Sequence, residues 1–214
     1  MVVWKIGKEI VHIAEGNAAS TGSAIDWACK SFSLFESPED SEVLARQCDS
    51  SDGVYFVPAF DGLQAPHWDP CATVCIIGIS HRTSKSHLTR ALLESFVFHL
   101  NQLKVIFSRN LPYDMDVVHI DGGVSRNGLI LEMISNLLQV KLKVPSQVEM
   151  TGLGAAYLAG LSHGVWTREE IKRFICHKKE VNPIEMFDTK CIELQSTYRV
   201  WQRAVERSMQ WNTH

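Results

Sequence analysis

Asp121, Gly122, Gly123, Val124, Ser125, Arg126 and Asn127 follow directly on the apolar run Val117, Val118, His119 and Ile120. A β-branched run closed by two glycines and then a serine reads as a strand, a tight turn and a helix start, with Ser125 as the N-cap. Such a turn lets main chain lie close to a ligand, and the helix behind it offers unpaired N–H groups carrying about half a positive charge. The chemistry that fits is nucleotide binding. A turn of this composition also occurs for purely structural reasons, so other segments have to agree with it.

Phosphoryl transfer further needs a residue that takes the proton of an attacking hydroxyl. The acids at hand read as structural: Asp61 lies in a proline-rich loop, Asp121 braces a turn, and Asp69 and Glu94 lack a partner at catalytic spacing. No catalytic residue is predicted. The six cysteines, at positions 29, 48, 71, 75, 176 and 191, contain no CxxC pair. Cys71 and Cys75, on an expected strand, form a poor zinc site without a second pair. Reduced, mostly buried thiols are expected, which favours a cytoplasmic protein, with a mitochondrial association left open. The nine histidines show no HExxH or HxH spacing, and no metal ligand set is predicted.

Positioning these residues falls to a chain of 214 residues, 45% apolar, which suits one domain. With 21 basic and 24 acidic residues, a net charge of −3 leaves no electrostatic footprint for nucleic acid. No apolar stretch reaches the roughly 20 residues that span a bilayer, and the N-terminus lacks the basic and apolar regions of a secretory signal. Met1 looks like the edge of a truncation, because a strand begins at once.

Residues 2–6 and 9–14 read as a hairpin turned by Gly7 and Lys8. Ile25, Ala28 and Phe32 recur at helical spacing over residues 21–35, capped by Thr21 or Ser20. Ser37 to Asp40 supply a second helix start with Pro38 at its first position. Residues 54–57 and 73–79 read as strands. Between them a glycine- and proline-punctuated segment has to pack by Phe60 and Trp68. A long amphipathic helix follows Ser84. Helical periodicity resumes at Leu129, and Val140, Leu142 and Val144 alternate as a strand. Gly152, Gly154, Ala155, Ala156, Ala159 and Gly160 form a small-residue face suited to close packing, Thr167 and Glu170 a capping box, and Lys178 to Glu180 a solvated loop. The tail from about residue 189 to 211 is amphipathic. Strands alternating with helices after residue 110 predict an α/β layer architecture with parallel strands.

Taken in order, these segments resemble the C-terminal domain of glycerol kinase in the FGGY carbohydrate kinase family, over nearly the whole chain. Ala14, Glu15 and Gly16 with Gly22 to Trp27 resemble the strand and helix flanking the family's nucleotide cleft. Phe56 to Phe60 with Gly62, Leu63, Ala65, Pro66, Trp68 and Pro70 resemble its most characteristic block. Gly78, Ile79, His87, Leu88, Ala91 and Glu94 match most of its signature helix. Asp121, Gly122, Gly123 and Asn127 fit its adenosine motif, and residues 152–156 its Gly/Ala helix. Residues 14–19, Gln64 and the ending from Ala204 to Trp211 are most similar to a divergent animal branch of the glycerol kinases.

The resemblance implies a ribonuclease-H-like domain of the actin-like ATPase fold, a mixed sheet with flanking helices, lacking its N-terminal strand. Residues 1–214 would be the nucleotide-binding domain, with the N-terminal substrate domain absent. Gly22 and Asp26 would sit near the nucleotide, and Gly122, Gly123 and Asn127 would contact adenosine and its phosphates. Asp26 departs from the family's usual glutamine, exchanging two amide donors for a negative charge. The implied cofactors are ATP and Mg2+, and the small-molecule substrate is glycerol or a related polyol held by the missing half. Neither nucleic acid nor a membrane span is implied, and homo-oligomerisation is left open. The function implied is the ATP-binding half of a kinase making glycerol 3-phosphate. A noncatalytic nucleotide-binding or dimerisation fragment is the alternative, and the chain alone is expected to be inactive.

Overall fold

The computed structural model describes residues 2–16, 21–112, 114–147 and 149–212. Ser20 and residues 17–19, which carried part of the sequence reading, lie outside them. The chain opens on the expected hairpin, β1 (Val2–Ile6) and β2 (Glu9–His12), with Ile6 opposite Glu9 across Gly7 at φ +60°. The hairpin is a two-stranded sheet of its own.

Helix α1 (Thr21–Lys30) is shorter than the periodicity predicted. Ser33 takes a left-handed φ of +52°, Leu34 N–H returns to Ala28 O at 2.9 Å, and Phe32 is left outside to stack on Trp27 at 5.1 Å. Ser37 N–H and Oγ both bond Asp40 Oδ2, and the helix proper, α2 (Asp40–Ala45), begins after that turn.

Strands β3 (Tyr55–Val57) and β4 (Cys75–Ile77) pair antiparallel. Between them Trp68 does not pack inward; it is 74% exposed. Asp69 holds the segment instead, its main chain paired with Leu63 and its buried carboxylate accepting from Cys71 N–H at 2.8 Å and Gln210 N–H at 2.7 Å. Cys71 therefore sits in a turn, apart from Cys75 in β4. All six thiols are free, yet only Cys191 is fully buried, fewer than expected.

The 26-residue α3 (Lys85–Asn110), about 39 Å long at 1.5 Å per residue, is the spine of the molecule. Its N-terminus is closed by a capping box between Ser84 and His87. Against it lie α2, β3, α4 (Gly128–Leu138) and α7 (Thr189–Ser208). Phe56, Phe98, Ile130, Ile134 and Trp201 fill the core, and Trp201 Nε1–H donates to Phe56 O at 2.7 Å.

The last sheet runs β5 (Val117–His119), β6 (Lys141–Pro145), β7 (His177–Val181). β5 and β6 are parallel, as alternation predicted, with Leu142 and Val144 buried. β7 was not foreseen. The supposed loop at Lys178 to Glu180 is a strand antiparallel to β6, and Glu180 pairs with Lys141 at 2.5 Å. Helix α5 (Met150–Ser162) buries Gly160 alone, against Trp166. The rest of its small-residue face is not buried, contrary to the close packing expected of it. Helix α6 (Arg168–Phe174) starts at the predicted Thr167–Glu170 capping box.

Candidate functional site

Gly122 has φ +76° and ψ −171°, a conformation open to glycine and strained for other residues. The chain then makes one 3-10 turn, Gly123–Arg126, stapled by Ser125 Oγ–H donating to Gly122 O at 2.7 Å. Ser125 is thus a brace inside the turn. The cap of α4 is Asn127, whose Oδ1 accepts from Ile130 N–H at 3.0 Å while its amide donates to Ser41 Oγ at 3.3 Å. Asp121 makes no hydrogen bond or ion pair to the described residues.

A second difference concerns the helix behind the turn. Its first N–H, of Gly128, donates to Glu42 Oε2 at 2.6 Å. Glu42 in turn holds Arg46 at 2.9 Å, and Arg46 grips Glu132 with two nitrogens at 2.7 and 3.1 Å. The bond to Glu132 is the main reason the Arg46 guanidinium is held above its usual range. A carboxylate of the protein thus occupies the favourable anion position at the α4 N-terminus. The open donors lie one turn earlier: N–H of Gly123 and of Val124 have no acceptor among the described residues. A Cβ at Gly122 or Gly123 would meet nothing within 4 Å, so the space beside the main chain is open there.

Gly123 and Asn127 face Gly22 and Asp26 across a groove of about 290 Å³, closed on a third side by Pro38, Glu39 and Ser41. Gly22 and Asp26 are one turn apart on α1, a helix that turns Ala24 and Ala28 into the core and these two outward. Gly22 is as bare as Gly123. Asp26 is held by Lys30 Nζ at 2.9 Å. The structure brings four of the five predicted residues to one groove, and Gly122 supplies the bend beside it. Sequence reasoning missed Arg126 and Glu39, which add a guanidinium and a carboxylate to the lining, and Glu42. Nothing local in sequence links residues 42 and 128.

Behind the turn, Asp121, His119 and Val124 border a mostly apolar cavity of about 400 Å³ between α3, α4 and β5. Lys104 reaches into it and bonds Leu138 O; burial lowers its affinity for a proton. Among the described residues, no three His, Cys, Asp or Glu side chains are grouped to hold a metal, and no helix is long and apolar enough to cross a membrane.

The sequence profile of the FGGY family of carbohydrate kinases, C-terminal domain, matches residues 8–163. Glycerol kinase 5 of Mus musculus is 40% identical over 212 residues, covering 99% of this chain and 39% of its own length. Glycerol kinase of Halothermothrix orenii is 34% identical over 212 residues, 99% of this chain and 42% of its own. The chain therefore spans about two fifths of these relatives. Among solved structures, Plasmodium falciparum glycerol kinase with ADP superposes with a TM-score of 0.74 at 32% identity, over 88% of this chain and 37% of that one. The α/β architecture of the actin-like ATPase kind is the one the sequence led us to expect.

Proposed function

We propose that this chain, which belongs to the FGGY family of carbohydrate kinases, is the ATP-binding C-terminal half of an ATP-dependent glycerol kinase that makes glycerol 3-phosphate. The observation that carries the reading is the convergence of Gly22, Asp26, Gly123 and Asn127 on one groove from segments about a hundred residues apart, beside a turn whose main chain is unblocked. The groove's own charges divide the nucleotide. Asp26 and Glu39 are acceptors when ionised and match hydroxyl or amino donors of a nucleoside, whereas a bare phosphate would be repelled by them. Phosphate oxygens find donors at Gly123 N–H, Val124 N–H and Arg126 instead.

Mg2+ would be held chiefly by the phosphates, as hard cations are in such sites, with water and residues of the other half completing its shell. Its chemistry is to neutralise the triphosphate. Glycerol or a related polyol belongs to that other half, and residues 1–214 act as the nucleotide-binding domain. The protein works in the cytoplasm on this reading. Incubating the 214-residue chain with ATP, Mg2+ and glycerol tests the division of labour: no glycerol 3-phosphate is expected, and turnover by the chain alone contradicts it.

A further inference from the structure

Outside the groove, two histidines on different strands of the last sheet meet tip to tip. His119 closes β5 and His177 opens β7, with β6 between them; there Lys143 is the register partner of His119 and Pro145 that of His177. His119 Nδ1 and His177 Nε2 are 3.3 Å apart, with the rings tilted 52° and their centroids 5.1 Å apart. At that distance one ring nitrogen donates a hydrogen bond to the other, and an ion between them would take the place of that proton, which the donating ring would carry on its outward nitrogen instead. Two Zn–N bonds of about 2.0–2.1 Å opening at the tetrahedral angle set their nitrogens about 3.3–3.4 Å apart. The observed separation is that bite.

We propose that His119 and His177 form a two-histidine chelate for a borderline divalent transition-metal ion of the Zn2+ class, bound through His119 Nδ1 and His177 Nε2. Both rings bind as neutral imidazoles, each keeping its proton on the nitrogen that faces away from the ion. Imidazole selects Zn2+, Cu2+ or Ni2+ over Mg2+, which prefers oxygen. Among the described residues no third His, Cys, Asp or Glu joins the pair, so water fills the remaining positions and the ion exchanges readily. The nearby cation Lys143 lies 3.9 Å from Glu180, which offsets part of its repulsion of the ion. This site is separate from the nucleotide groove, whose lining includes neither histidine.

Calorimetric titration of the 214-residue chain with Zn2+ tests the proposal, with Mg2+ as the control and with His119→Gln, His177→Gln and the double variant. The expected result is one bound Zn2+ equivalent, unmatched by Mg2+. Either single substitution should weaken it more than about tenfold, the lower bound for losing even an outer-shell partner, and the double variant should lose it. In the unsubstituted chain the imidazole 15N resonances of both residues should shift together on adding Zn2+, a readout independent of how the variants fold. The same equivalent retained by a folded double variant, or no joint shift in the parent chain, overturns the proposal.

Discussion

Helices α4 and α5 are similarly rich in apolar residues, yet α4 buries eight of its eleven residues and α5 buries Gly160 alone. The difference lies in arrangement and size. Leu129, Ile130, Met133, Ile134 and Leu137 gather on one side of α4 and press on α3 and α7. In α5 the apolar residues are spread around the helix, and Gly152, Ala155 and Ala156 have too little side chain to bury much area. Apolar content alone therefore does not decide which helix belongs to a core. The same contrast divides the molecule: α2, α3, α4, α7 and β3 share a closed interior, while none of the described side chains of the hairpin and α6 belongs to it.

In the closed half, Trp201→Ala should have the largest effect. It removes a buried indole packed on Phe98 and Tyr198 and leaves Phe56 O without its donor. A loss of about 3–5 kcal/mol is expected, read from the midpoint of chemical denaturation. Stability unchanged to within 1 kcal/mol, on the order of a surface substitution, would mean that the interior does not hold the fold.

Two glycines of α5 should show smaller effects of opposite sign. A Cβ at Gly160 would lie 2.2 Å from the Trp166 ring, whereas one at Gly154 meets nothing within 4 Å. Gly160→Ala should cost about 1–3 kcal/mol by overpacking. Gly154→Ala should gain up to about 1 kcal/mol in helix propensity. Equal effects at the two positions, measured by thermal denaturation, would erase the distinction between the two sides of α5.

The smallest effect depends on pH. Burial, with His67 nearby, holds His99 below its ordinary value of 6.5, against the bond to Ala65 O, which favours the charged form. The native state therefore disfavours a proton that the unfolded chain accepts. Stability is full above pH 6.5 and declines as the pH falls from there toward the lowered native value. His99→Gln should flatten that decline, and an unaltered pH profile would remove His99 as its source.

Most of the element order was legible because periodicity and capping are local. The long α3, the amphipathic α7 and the Thr167–Glu170 box follow directly from spacing. β7 was illegible because four of its five residues are exposed, so neither alternation nor an apolar run marks it; only its pairing with β6 does. The site divides in the same way. The bend at Gly122 is a property of two adjacent glycines, but the choice of Asn127 over Ser125 as cap follows from Ser41 and Glu42, more than eighty residues away. Gly22 and Asp26 became candidates through family resemblance, since nothing in their own spacing marks them.

The proposed function turns on a nucleotide lying against the open main chain at Gly122 and Gly123. Isothermal calorimetry of ATP titrated into the 214-residue chain and into its Gly123→Val variant reads that contact. Saturable binding by the first and markedly weaker binding by a folded variant are expected, because a branched side chain would stand where backbone meets ligand. Equal affinity in the two would contradict the assignment of the turn.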